Sequence, residues 1–202
     1  MGPQGAQAFI FNFGVIPLEL SSGTNLSVSP AIPPFASVIT AMFLHGGLMH
    51  LAGNMWFLWI FGDNIEDFLG HLRFLFFYLA TGIAATVAHV MFNLDSQIPL
   101  VGASGAISGV LGAYFFLHPK IRILTLIPIG FVITTARVPA LLFLGIWMLM
   151  QFSGVFSVGS NVAYGAHIGG FVAGLLLILV MSRRDHRPHR RYEARRRSRS
   201  HW

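Results

Sequence analysis

The sequence predicts an all-α fold, a polytopic membrane bundle of about five transmembrane helices. Three observations carry that expectation. Hydrophobic residues make up 54% of the 202 and charged residues only 10%, with a mean hydropathy of +0.68, so this is not the composition of an ordinary soluble domain. Several apolar runs approach or exceed the roughly 18–20 residues that a helix needs to cross a bilayer. The segments between those runs alternate between basic and base-free.

The elements follow in order. Residues 1–34 hold no sustained period, because Gly, Pro, Ser and Asn interrupt them. Within them FNFGVIPLEL is apolar enough to pack on a neighbour, and SSGTNLSVSPAIPPF reads as a loop. FASVITAMFLH (35–45) follows Pro33–Pro34, which suits the start of a short helix. LMHLAGNMWFLWIFGDNIEDFLG (48–70) is the first spanning candidate and ends in acidic residues, and HLRFLFFYLATGIAATVAHVMFN (71–93) is the second. DSQIPLVGA (95–103) is a loop. SGAISGVLGAYFFLH (104–118) is apolar but short, so it is expected to enter from mid-membrane behind a loop shielded by protein. PKIRILTLIPIGFVITTARVP (119–139) reads as a basic connection bounded by prolines. ALLFLGIWMLMQFSG (140–154) and YGAHIGGFVAGLLLILVMS (164–182) complete the set. The chain thus divides into an external N-terminal segment (1–47), a membrane core (48–182) and a basic tail (183–202).

Charge orients the bundle. Nine of the 13 basic residues follow residue 182, and the others are Arg73, Lys120, Arg122 and Arg137. The loops at 71–73 and 119–138 and the tail hold every Lys and Arg, whereas those at 1–44, 94–103 and 154–163 hold none. Positive charge stays on the cytoplasmic side, so the C-terminus is expected inside and the N-terminus outside. An external N-terminus must be translocated, yet MGPQGAQAFIFNFG lacks the basic and long apolar regions of a signal peptide. The expectation is therefore a further helix upstream. Arginines placed directly after a spanning helix anchor it and attract anionic lipid, so membrane lipids rather than nucleic acid are the expected partner of the tail. The absence of cysteine excludes disulfides and thiolate metal sites.

Ionisable or polar groups inside spanning segments are expensive, and are functional-site hypotheses by default. His50 and Asn54 lie four residues apart on one helix face, where polar side chains also serve simply to join helices. Ser104 opens an apolar helix, where the plain reading is a cap. Gly105 with Gly109, and Gly170 with Gly174 after His167, have the small-xxx-small spacing that lets two helix backbones approach. A close crossing of those two helices would bring Ser104 to His167. Serine is a weak nucleophile until a base takes its proton, and neutral imidazole suits that task. The oxyanion of amide cleavage needs positioned donors, and His50, Asn54 and the backbone N–H groups around Ser104 are candidates. No acidic residue lies near His167 in sequence, so a Ser–His dyad without a carboxylate is expected.

In combination, these stretches resemble the rhomboid intramembrane serine proteases. The resemblance runs from FGVIP (13–17) to AHIGGFVAG (166–174) and includes FLHGGLMHLAGNMWFLWIFGDNIEDFLG and VGASGAISGVLGAY in family order and spacing. It implies Ser104 as nucleophile and His167 as general base. It also implies His50, Asn54 and the backbone N–H groups of Ser104 and Ala103 as oxyanion donors. Gly102 would let the loop turn before the nucleophile, His45 would hydrogen-bond or brace the site, and Glu66 would be structural. The implied substrates are proteins with a single transmembrane helix, cut where that helix unwinds easily, in a bacterial inner (plasma) membrane. No cofactor is implied.

Three departures stand out. The first of the six core helices usual in the family is not found here. The loop before residue 48 lacks a Trp–Arg pair seen in many members. Ser108 stands where some members place a tyrosine on the catalytic histidine. Other intramembrane proteases fit less well: there is no HExxH for zinc and no YD to partner a GxGD aspartate, so no metal is expected. The alternative is a catalytically inactive rhomboid-like scaffold or chaperone, though such relatives lose the serine or the histidine. The uncharged 154–163 loop is expected to act as a movable cap.

Overall fold

The computed structural model describes residues 2–24, 26, 32–157 and 162–184. The basic tail beyond residue 184 and the centre of the expected cap loop (158–161) lie outside the described residues.

Helices dominate. α1 (Pro3–Phe13), α2 (Pro17–Ser22) and α3 (Pro34–Thr40) each begin on proline, whose missing N–H is no loss in a first turn. A 3-10 turn (Ala41–Phe43) follows α3. Then come α4 (Leu48–Leu69), α5 (His71–Met91) and α6 (Ser104–Leu117). A hairpin of β1 (Arg122–Ile129) and β2 (Val132–Pro139) leads to α7 (Ala140–Val155) and α8 (Tyr164–Arg184).

All five expected membrane helices therefore form, close to their expected bounds. They are not equal in reach. α5 and α8 are each long and apolar enough to cross a membrane, and α3 with α4 qualify as a pair bent by 78°. α6 and α7 are shorter. The 14 residues of α6 rise only about 21 Å, against a hydrocarbon core of about 30 Å. If its inner end reaches one interface, its first residue, Ser104, sits well below the other.

α6 is the axis of the bundle. Every residue from Gly105 to Tyr114 is buried, as suits a helix apolar on all sides, and α4, α5, α7 and α8 pack around it. Its buried polar groups are satisfied locally. Ser108 Oγ donates to the Ser104 carbonyl at 2.6 Å, and Thr81 Oγ1 on α5 reaches the carbonyls of Tyr78 (3.1 Å) and Ala106 (3.4 Å). The core around α6 includes Phe61, Ile65, Phe77, Leu144 and Ile178. Trp56, Trp59, Phe76 and Leu149 face outward, as expected for side chains that meet lipid.

Two segments differ from the sequence reading. The N-terminal region is helical and packed, with Val15 and Ile16 fully buried. Val15 and Leu100 exchange backbone hydrogen bonds of 3.0 and 2.7 Å, and Thr40 Oγ1 donates to the Phe13 carbonyl at 2.6 Å. The first two bonds tie the segment to the loop that precedes Ser104, and the third ties it to α3. Such pairings join residues far apart in sequence, so local periodicity does not show them. The 119–139 connection is a hairpin paired from Arg122↔Pro139 to Ile129↔Val132 around Gly130 and Phe131. β-Branched residues in RILTLIPI and VITTARVP favour this, and both prolines are tolerated because both strands are edges.

Candidate active site

Ser104 is not a cap. The N-cap of α6 is Ala103, which makes no side-chain cap bond, and Ser104 is the first residue of the helix proper. Its hydroxyl oxygen instead lies 2.9 Å from Nε2 of His167, on the first turn of α8. The glycines bring the two together. A Cβ added at Gly170 would overlap the carbonyl oxygen of Gly105, and one at Gly174 would overlap that of Gly109. Only bare backbone lets α6 and α8 cross this closely.

The loop before Ser104 packs against α4. Gly102 adopts φ +122°, a conformation that side chains rarely reach, and its N–H donates to the Ala41 carbonyl at 2.9 Å. A Cβ there would stand 2.8 Å from Cε1 and Nε2 of His50. The imidazole of His50 thus lies directly against the backbone that precedes the nucleophile. Its Nδ1 accepts the N–H of Gly46 at 3.3 Å, so in the neutral ring the proton sits on Nε2 and faces the site. Asn54, 7% exposed, donates one amide hydrogen to the His50 carbonyl at 3.0 Å and has a second to offer. The backbone N–H groups of the first turn of α6 have no partner within their own helix, and the helix dipole adds positive potential there. Four elements therefore converge: the start of α4, the 95–103 loop, the start of α6 and the start of α8. Ala103 is buried within that turn.

One contact escaped the sequence reading. Gln151 on α7, 7% exposed, places Oε1 2.7 Å from Nδ1 of His167. The signal was present as a lone amide inside the apolar run ALLFLGIWMLMQFSG. A neutral amide carries no charge and stands here in no spaced motif, so the run reads as plain apolar helix. A small cavity of about 10 Å³ adjoins Ser104, lined among others by Met42, Thr86 and Gly102, and has room for one water. Among the described residues, no group of three or more His, Asp or Glu side chains is placed to hold a metal ion.

Comparison with known proteins gives the family. A family model described as the Rhomboid domain matches residues 34–184, from the start of α3 to the end of α8. The chain belongs to the rhomboid family. Among curated rhomboids it is 38% identical over 137 residues to rhomboid protease GluP of Bacillus subtilis, covering 68% of this chain and 24% of that one. It is 30% identical over 150 residues to the mitochondrial Rhomboid protein 1 of Saccharomyces cerevisiae, covering 69% and 40%. It is 31% identical over 168 residues to the putative rhomboid protease YdcA of Bacillus subtilis, covering 77% and 71%. The chain spans less than half the length of the first two. It is an integral membrane protein, as its helices and these rhomboid relatives require.

His45 packs edge-on against His50, ring centroids 5.2 Å apart, on the approach to α4. Glu66 is remote from Ser104. Its carboxylate meets Nδ1 of His71 at 2.6 Å and its carbonyl accepts the Gly70 N–H at 2.7 Å, closing the turn between α4 and α5. The Ser108 hydroxyl turns back onto its own helix and donates to the Ser104 carbonyl rather than to His167. An aromatic partner for the histidine comes instead from α7, where the Trp147 ring lies 5.9 Å from His167 at 33°.

Proposed function

We propose that this rhomboid is an intramembrane serine protease that cuts peptide bonds in or near transmembrane segments with a Ser104–His167 dyad. The observation that carries the reading is the 2.9 Å approach of His167 Nε2 to Ser104 Oγ, within reach for proton transfer. His167 takes the hydroxyl proton as Ser104 Oγ attacks the scissile carbonyl. The negative oxygen that develops is met by His50 Nε2–H, the second amide hydrogen of Asn54 and the N–H groups of Ser104 and Ala103. The imidazolium then protonates the departing amine and leaves an acyl-enzyme on Ser104. Water attacks that ester, His167 takes its proton, and Ser104 is restored.

The short α6 supports chemistry below the membrane surface, and water must arrive from the side where α4, α6 and α8 begin. Substrates of this reading are single-pass membrane proteins whose helix unwinds locally, since a regular helix hides its carbonyls in hydrogen bonds. The uncharged loop after α7 would act as the cap. Relatives are both bacterial and mitochondrial, and we place this chain in a bacterial plasma membrane with its C-terminus in the cytoplasm.

The test is cleavage of a single-helix substrate in liposomes, together with labelling of Ser104 by a fluorophosphonate. Wild type should cleave and label, whereas Ser104→Ala and His167→Ala should do neither. A folded wild type that neither cleaves nor labels would favour the non-catalytic scaffold.

A further inference from the structure

The geometry points to Gln151 as a positioning residue that fixes which nitrogen of His167 carries the proton. This rests on the reading of Ser104 and His167 as nucleophile and base. The argument begins with the amide itself. Gln151 Nε2 donates to the Trp147 carbonyl at 3.2 Å, one turn back on α7. A carbonyl only accepts, so the amide cannot be turned round without setting two oxygens against each other. Oε1 is therefore the atom that faces His167 Nδ1 at 2.7 Å. An amide oxygen also only accepts, so Nδ1 must be the protonated nitrogen. Nε2 then presents its lone pair to the Ser104 hydroxyl at 2.9 Å, as a general base must.

The other tautomer would set the bare Nδ1 against Oε1 in a buried site and point an N–H at the serine. That leaves two buried acceptors unpaired. The same contact assists the reaction. When His167 takes the proton of Ser104, its Nδ1–H bond to Oε1 becomes charge-assisted and shortens. An amide thus does in this chain, without a negative charge, the orienting task that a carboxylate performs in a triad. The imidazole is held from two directions on α7, by the amide of Gln151 and by the ring of Trp147.

The experiment is nitrogen NMR of the protein in liposomes with ¹⁵N-labelled histidine, at a pH above the histidine range. His167 is assigned by difference against His167→Ala. The expected spectrum places the proton on Nδ1 in wild type, and splits between both tautomers in Gln151→Met, a variant of similar shape with no strong acceptor. In parallel, Gln151→Met should lower kcat by about tenfold to a hundredfold with little change in KM. Gln151→Glu, which keeps an acceptor, should recover most of that loss. A wild-type proton on Nε2 would overturn the inference. So would Gln151→Met with the wild-type tautomer and kcat. The tautomer can be read whether or not the protein cleaves a substrate, so loss of the protease reading and loss of this inference are separate results.

Discussion

The backbone of Gly170 lies against the carbonyl oxygen of Gly105, so closely that no side-chain carbon fits between them. That contact sits at the residue after Ser104 on α6 and one turn beyond His167 on α8, and it sets the distance between the two side chains. Gly170→Val should therefore separate α6 from α8, costing about 1–3 kcal/mol through overpacking. It should also abolish fluorophosphonate labelling of Ser104, although both side chains of the dyad remain. Gly145→Ala on α7 is the control, because a Cβ there meets nothing within 4 Å. Its thermal midpoint and labelling should stay near wild type.

The oxyanion role proposed for His50 and Asn54 predicts a loss in rate rather than in binding. His50→Ala and Asn54→Ala each remove one donor, and each should lower kcat by about 10²- to 10³-fold. KM should change little, because the negative oxygen exists only after attack. Steady-state kinetics in liposomes separates the two effects. A change confined to KM would place these side chains in substrate binding instead.

Gly102 combines two constraints, a positive φ of +122° and a His50 ring 2.8 Å from where a Cβ would be. Gly102→Ala adds about 1–3 kcal/mol of backbone strain and displaces His50. Activity should fall at least tenfold, while the helical circular dichroism signal is retained. Unaltered activity would show that the loop can take another conformation without harm to the site.

Topology can be tested from the charges. Arg73, Lys120, Arg122 and Arg137 lie toward the ends of α4 and α6 remote from Ser104 and in the hairpin that follows α6. A fluorescent protein fused after Trp202 should fluoresce in the cytoplasm, and alkaline phosphatase fused there should be inactive. The opposite pair of results would invert the bundle and place the site on the cytoplasmic side.

Much of the site was legible in the chain because its groups are costly where they stand. A histidine and an asparagine one turn apart in an apolar run, or a serine at the head of an apolar helix, need a reason to be there. The reading of Ser104 as a plain cap was decided only by coordinates, which give the cap position to Ala103. Gln151 was legible as an oddity but not as a partner. Sixteen residues separate it from His167, and a neutral amide announces no chemistry.

The sequence by itself determined the class of molecule, the membrane helices and the candidate groups of the site. Composition, run length and the placement of arginine are properties of the chain that solvent and bilayer read directly. The helices of the N-terminal segment, the hairpin at 122–139 and the support of His167 by α7 were decided by tertiary structure. Each depends on which surfaces meet, and a hydrogen bond between distant residues leaves no period in the chain. The glycines stand between the two cases. Their spacing announced a close crossing, but only the packed helices settled that it runs from Gly105 to Gly170 and brings a hydroxyl within 2.9 Å of an imidazole.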